Sequence, residues 1–195
     1  MTSTHHLRDS QLRLFLLIIL FSALLFPACE KKPMKEPHVG DPAPNFTLPN
    51  ALSGTVTLSE YKNKQPVLLY FHMGVGWSPC MQQVVDLQND ANFQSLNVAV
   101  LSITADSIDE LSSESQKLGI TEIPMLSDAD KKVATAYYVL KWAVPSGEPG
   151  HTFVLVNQDG TIAWIQDYGA PDNPNRTMYV PIDEIIQAIE THLKS

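Results

Sequence analysis

The sequence predicts an α/β domain whose central mixed sheet carries helices on both faces, placed after a short N-terminal export segment. Two near-continuous apolar runs, residues 66–71 (PVLLYF) and 96–103 (LNVAVLSI), read as strands buried on both faces. Stretches of helical periodicity lie between and after them. Residues 152–156 and 161–165 flank Asn157-Gln158-Asp159-Gly160, a hairpin signal that closes the sheet. At 195 residues there is room for one domain of ordinary size plus an N-terminal extra.

From the N-terminus, residues 1–13 are polar and carry Arg8 and Arg13. Residues 14–26 are thirteen almost unbroken apolar positions, ending at Pro27, Ala28 and Cys29. As a helix such a run spans about 20 Å, short of a hydrocarbon core of roughly 30 Å. A positive section, an apolar section and a small-residue end describe an export signal. Cys29 directly after Ala28 resembles the lipobox of bacterial lipoproteins, with Phe26 and Pro27 replacing the usual Leu and small residue. That resemblance implies cleavage after residue 28 and lipidation of Cys29. The mature chain would then be anchored to the outer face of the bacterial membrane, or face the periplasm. An ordinary signal peptide and an uncleaved anchor are the alternatives. Residues 29–40 read as the lipidated Cys and a flexible tether, and 41–195 as the domain. Export implies an oxidising compartment.

Within the domain, residues 55–58 follow the Ser53-Gly54 turn signal and form a short strand. Residues 79–89 place Val84, Val85 and Leu87 at helical spacing. Asp106 or Ser107 caps a helix over 107–118 that stops at Gly119. Residues 131–140 read as a further helix, with Asp128 or Asp130 near its start. A last helix begins near Pro181, with Ile182, Ile185, Ile186, Ala188 and Ile189 on one face. The loops 141–151 and 167–180 are long and rich in Pro, Gly and Asn, a length often tied to function.

The net charge is −8, and removal of residues 1–28 takes away Arg8, Arg13 and Asp9, leaving −9. Such a surface argues against nucleic acid and anionic headgroups as partners. Cys29 and Cys80 are the only cysteines, so no disulfide framework holds the domain.

Three strings occur in order: VGDPAPNFTLPNALSGTVTLSEYKNKQPVLLYF (39–71), SITADS (102–107) and HTFVLVNQDGTIAW (151–164). Together they resemble the redoxins, the thioredoxin-like group that holds peroxiredoxins of the alkyl hydroperoxide reductase/thiol-specific antioxidant type and thioredoxin-like lipoproteins. The resemblance covers residues 38–195 and implies a thioredoxin-like fold. It also implies thiol-dependent reduction of peroxides, or disulfide exchange, with an external thiol or a disulfide-bearing protein as partner. No cofactor is expected.

In that family the reactive cysteine follows the aromatic ending the first core strand by nine residues, and from Phe71 this lands on Cys80. Cys80 also matches the second Cys of a CxxC turn whose first position is Trp77. Its place in the first turn of the 79–89 helix exposes it to free N–H groups and the helix dipole, which favour a thiolate. Helix N-termini lower a Cys pKa from about 8.5 to between roughly 3.5 and 7.5. Three family features are absent. The Pro-x-x-x-Thr-x-x-Cys loop becomes Met73-x-x-x-Trp77-x-x-Cys80, and Gly150 stands where the thiolate-pairing Arg belongs. The thioredoxin cis-proline of that same position is also missing, unless Pro149 serves. The domain has no second Cys, so any cycle is one-cysteine.

The candidate site residues are therefore Cys80, His151 and Trp77. His151 and His72 are candidate imidazolium partners or general bases. Trp77 is a candidate shield over the thiol, and Arg176 in the loop 168–179 is a candidate replacement cation. Two other functions stay open. One is copper binding through Cys80, His72, His151, Met73 and Met81, a soft donor set. The other is a degenerate redoxin that binds a partner without chemistry.

Overall fold

The computed structural model describes residues 35–193 apart from 144, 146 and 175. The export segment, Cys29 and the first part of the tether lie outside the described residues.

The chain runs β1 (Thr47–Pro49), β2 (Thr55–Thr57), β3 (Val67–His72), α1 (Ser78–Asn89), α2 (Ala91–Ser95), β4 (Ala99–Thr104) and α3 (Ile108–Leu118). It continues through β5 (Met125–Ser127), α4 (Lys132–Ala136), β6 (His151–Val156), β7 (Ile162–Asp167) and α5 (Ile182–His192). Five strands form one sheet in the order β5-β4-β3-β6-β7, and β1 pairs only with β2. β3 is the central strand, parallel to β4 and antiparallel to β6. All six β3 residues are buried, as the unbroken apolar run requires.

Alternation along β3 divides the core in two. Leu68 and Tyr70, with Phe153 and Leu155 of β6, pack against Met81, Val84 and Leu87 of α1, Leu111 of α3 and Ile185 and Ile189 of α5. Val67, Leu69 and Phe71 face the other way, toward Val133 and Ala134 of α4 and Phe46, Leu48 and Leu58 of the N-terminal segment. Leu68 and Leu69 are completely buried, each contributing about 2 kcal/mol of apolar burial. Helices thus cover both faces, as the sequence predicts.

Local signals explain most boundaries. Ser107 accepts from the Glu110 N–H while the Glu110 carboxylate takes the Ser107 N–H, closing a capping box. Gly119 ends α3 in the left-handed conformation, φ 69°. The hairpin turns at Gly160, whose N–H donates to Asn157 O at 2.9 Å.

Two expectations are corrected, and two short strands escape the sequence pattern. Residues 131–140 do not form one helix: α4 stops at Ala136, Tyr138 takes φ 61°, and a 3-10 turn follows over Val139–Trp142. The second core strand starts at Ala99 rather than 96, because α2, capped by Asp90, occupies the preceding residues. The three-residue strands β1 and β5 are too short to show a period.

The turn from β3 to α1 positions the candidate cysteine. Gly74 and Gly76 have φ of 80° and 88°, which an L side chain rarely adopts. Asp106 Oδ2 accepts from the Val75 N–H at 3.0 Å and from Thr104 Oγ1 at 2.7 Å, clamping the turn against the end of β4. A Cβ on Gly74 would lie 1.7 Å from that same oxygen, whereas one on Gly76 would meet open space. Gly74→Ala is therefore expected to cost more than the roughly 1–3 kcal/mol of φ strain alone, and Gly76→Ala to stay within that range. Urea unfolding of the two variants checks the order, and equal losses would contradict the clamp.

Candidate active site

Side chains of β3 and β6 on the α1 side build the site. The antiparallel register sets His72 opposite His151 and Tyr70 opposite Phe153. The Tyr70 ring stacks between His72 (centroids 4.3 Å apart) and Phe153 (4.6 Å), and His151 meets it edge-on at 5.0 Å. Held in this way, the Tyr70 hydroxyl lies 3.0 Å from His151 Nδ1 and donates weakly to the Cys80 carbonyl at 3.5 Å.

Cys80 is the third residue of α1 and is completely buried. Pro79 precedes it in the first turn, where a missing N–H costs nothing. Its sulfur sits 3.8 Å from His151 Nδ1. Burial pushes the thiol above its ordinary range, while hydrogen bonding from the Met73 N–H and the Tyr70 hydroxyl pulls the other way. The lowered thiol expected from the helix N-terminus is thus corrected: desolvation outweighs these donors in the closed site.

Neither histidine is a cation. Burial holds His151 at about 3, and burial with His151 nearby holds His72 at about 3. His72 accepts the Gly74 N–H on Nδ1 at 3.1 Å, so Nε2 carries the proton toward Ser102 Oγ at 2.7 Å. Both its nitrogens are committed to holding the turn and β4, so it is lost to the copper donor set. His151 Nε2, in contrast, is buried with no hydrogen-bond partner among the described residues.

The side chains of Trp77 and Arg176 make no hydrogen bond to the thiol among the described residues. Trp77 caps α1 only through its backbone: its carbonyl accepts the Cys80 and Met81 N–H groups at 3.0 and 3.2 Å. Its side chain is 46% exposed. Arg176 is exposed, and its backbone N–H donates to Asn173 O. The loop 168–180 reaches the site by another residue, Tyr168, whose N–H donates to His151 O at 2.8 Å and whose ring lies 6.3 Å from the imidazole. No cis peptide occurs among the described residues, so Pro149 does not supply the thioredoxin feature.

Sequence reading missed Tyr70, which is hidden inside an apolar run. It also missed Gln83, one turn after Cys80, whose Oε1 takes the Val180 N–H at 2.7 Å and ties α1 to the start of α5. A surface cavity of about 580 Å³ between Phe46, Leu48, Asp128, Lys132 and Tyr137 shares no residue with this cluster.

Residues 39–165 match the family model described as the AhpC/TSA family. The chain belongs to that family. Its members include the thiol peroxidases called peroxiredoxins. The chain is 28% identical over 159 residues to peroxiredoxin 2 of Picrophilus torridus, covering 78% of this chain and 74% of that protein. It is 32% identical over 142 residues to a putative peroxiredoxin of Haemophilus influenzae, covering 66% and 85%. Several other peroxiredoxins match over 57–68% of their own length. The reduced 2-Cys peroxiredoxin of Plasmodium vivax superposes with a TM-score of 0.65 at 24% identity, over 78% of this chain and 94% of that one. The AhpC/TSA domain here therefore has the thioredoxin-like fold.

Because His72 and His151 fall from 6.5 to about 3 on folding, their burial stabilises the fold fully above pH 6.5. That contribution is lost as pH falls from 6.5 through 3, where the unfolded chain binds more protons. His151→Gln removes one such group, so its stability should fall less steeply with acidification, by up to about 1.4 kcal/mol per pH unit. Urea unfolding of both proteins across that window measures the two slopes, and parallel slopes would show that His151 is not held neutral.

Proposed function

We propose that this AhpC/TSA protein is a one-cysteine thiol peroxidase acting outside the cytoplasm, with Cys80 as the peroxide-reducing residue. The observation that carries the reading is the set of groups on the sulfur. The only cysteine of the domain lies in the first turn of α1, in reach of the Met73 N–H, the Tyr70 hydroxyl and His151 Nδ1.

The thiolate attacks one peroxide oxygen, forming an S–O bond and breaking the O–O bond. Sulfur is oxidised to a sulfenic acid, and the peroxide is reduced to an alcohol or water, which takes up the thiol's proton. Cys29 is the only other cysteine and lies outside the domain, so resolution falls to an external thiol. That thiol displaces water to give a mixed disulfide, and a second thiol releases reduced Cys80 and a disulfide.

Complete burial of the sulfur makes the observed site a closed, protonated state. Peroxide enters when the Met73–Trp77 turn or the first turn of α1 opens. Opening returns water to the sulfur and removes the desolvation that holds the thiol high.

Placement outside the cytoplasm is supported by the sequence alone: the positive and apolar sections of residues 1–26, then Cys29 as a lipid acceptor and a polar tether.

Peroxide followed by a sulfenic-acid trap should label Cys80 in the wild type and nothing in Cys80→Ser. The labelling rate should rise with pH, by up to about tenfold per unit below the thiol's pKa, because only the thiolate attacks. Absence of a sulfenate at Cys80, together with no thiol-dependent loss of peroxide, would remove the peroxidase reading in favour of a binding module.

A further inference from the structure

We propose that Tyr70 is a catalytic residue of this site, its hydroxyl serving as the side-chain donor to the Cys80 sulfur where Trp77 and Gly150 leave no threonine hydroxyl and no guanidinium. The assignment rests on the peroxidase reading of Cys80, but its first readout does not.

The geometry gives the hydroxyl no other employment. Tyr70 is completely buried, and its ring is already packed by His72, Phe153 and His151. A phenylalanine would fill the same slot. The hydroxyl is therefore a buried polar group with a desolvation cost of its own, offset only by partners. Those partners are His151 Nδ1 at 3.0 Å and the Cys80 carbonyl at 3.5 Å, and the same Nδ1 lies 3.8 Å from the Cys80 sulfur. Every one belongs to the site.

Proton counting shows how the group acts. The Tyr70 hydroxyl and the Cys80 thiol converge on a single nitrogen, His151 Nδ1. With the thiol protonated, the Tyr70 hydroxyl donates to the Cys80 carbonyl and accepts Nδ1–H of the neutral His151. When the thiol ionises, the Tyr70 O–H turns from that carbonyl to the sulfur, and His151 goes on supporting the phenol oxygen through the same Nδ1–H. In the peroxide step the S–O bond forms, the O–O bond breaks, and the thiol's proton ends on the departing oxygen. Tyr70 donates a hydrogen bond throughout and keeps its own proton. His151 is then a positioning residue for that hydroxyl as well as a neighbour of the sulfur.

The test follows Cys80 ionisation in the full-length protein by ultraviolet thiolate absorbance, without peroxide, and then sulfenate formation across the same pH range. Tyr70→Phe should move the thiol titration to higher pH. It should also slow sulfenate formation about tenfold at a fixed pH, with the deficit closing as pH rises and the thiol ionises. An unchanged titration midpoint in a folded Tyr70→Phe protein would overturn the proposal, since a purely packing role leaves it in place. Should that variant fail to fold, a ring-fluorinated tyrosine at position 70 keeps the shape and makes the phenol a stronger donor. It should move the titration to lower pH, and no movement would overturn the proposal equally. A shifted titration with no sulfenate in the wild type would remove the peroxidase reading while leaving the Tyr70 contact established.

Discussion

The antiparallel pairing of β3 with β6 is the constraint on which the site depends. Its register sets His72 against His151 and Tyr70 against Phe153, so three polar side chains stand together on one face of the sheet. A slip of one residue would send Tyr70 and His72 into the opposite core, among Val133 and Tyr137. α1 then lays Cys80 over this face, and its sulfur meets His151 Nδ1. The apolar alternation that holds the sheet together is thus the same device that assembles the chemistry.

Burial shapes what that chemistry can be. With the site closed, desolvation keeps both imidazoles neutral and the thiol protonated. The cluster works with dipoles and shared protons, since it holds no charge of its own. A low-dielectric surrounding strengthens each hydrogen bond within it and makes an unpaired group costly. The turn before α1 brings the chain to Cys80. There Asp106 holds the Val75 N–H, and Gly74 occupies a conformation and a space that no other residue fits.

Legibility in the sequence varied with the range of the signal. The cap at Ser107, the stop at Gly119, the hairpin around Asn157–Gly160 and the last helix from Pro181 are local devices, and each stands where its residues indicate. The helix read over 131–140 broke because Tyr138 takes a left-handed conformation, which no residue type there announces. Tyr70 was illegible for a different reason. Within PVLLYF a tyrosine satisfies the apolar pattern as well as a leucine, and only its partners across the sheet give the hydroxyl a purpose. The long loop 167–180, in which the sequence offered only Arg176 as a candidate, meets His151 through the Tyr168 backbone and ring.

The sequence by itself determined the fold class, the family and the one cysteine of the domain, because strand hydrophobicity, helix caps and a fixed offset from Phe71 are all carried by neighbouring residues. It also showed which family groups are missing at positions 77 and 150. Only the tertiary structure decided what stands on the thiol and in which protonation state. Those properties arise from desolvation and from contacts between residues 71 and 81 positions apart in the chain, where no local pattern reports them. A helix N-terminus read locally predicts an activated thiolate, and the packed core around it holds a protonated thiol.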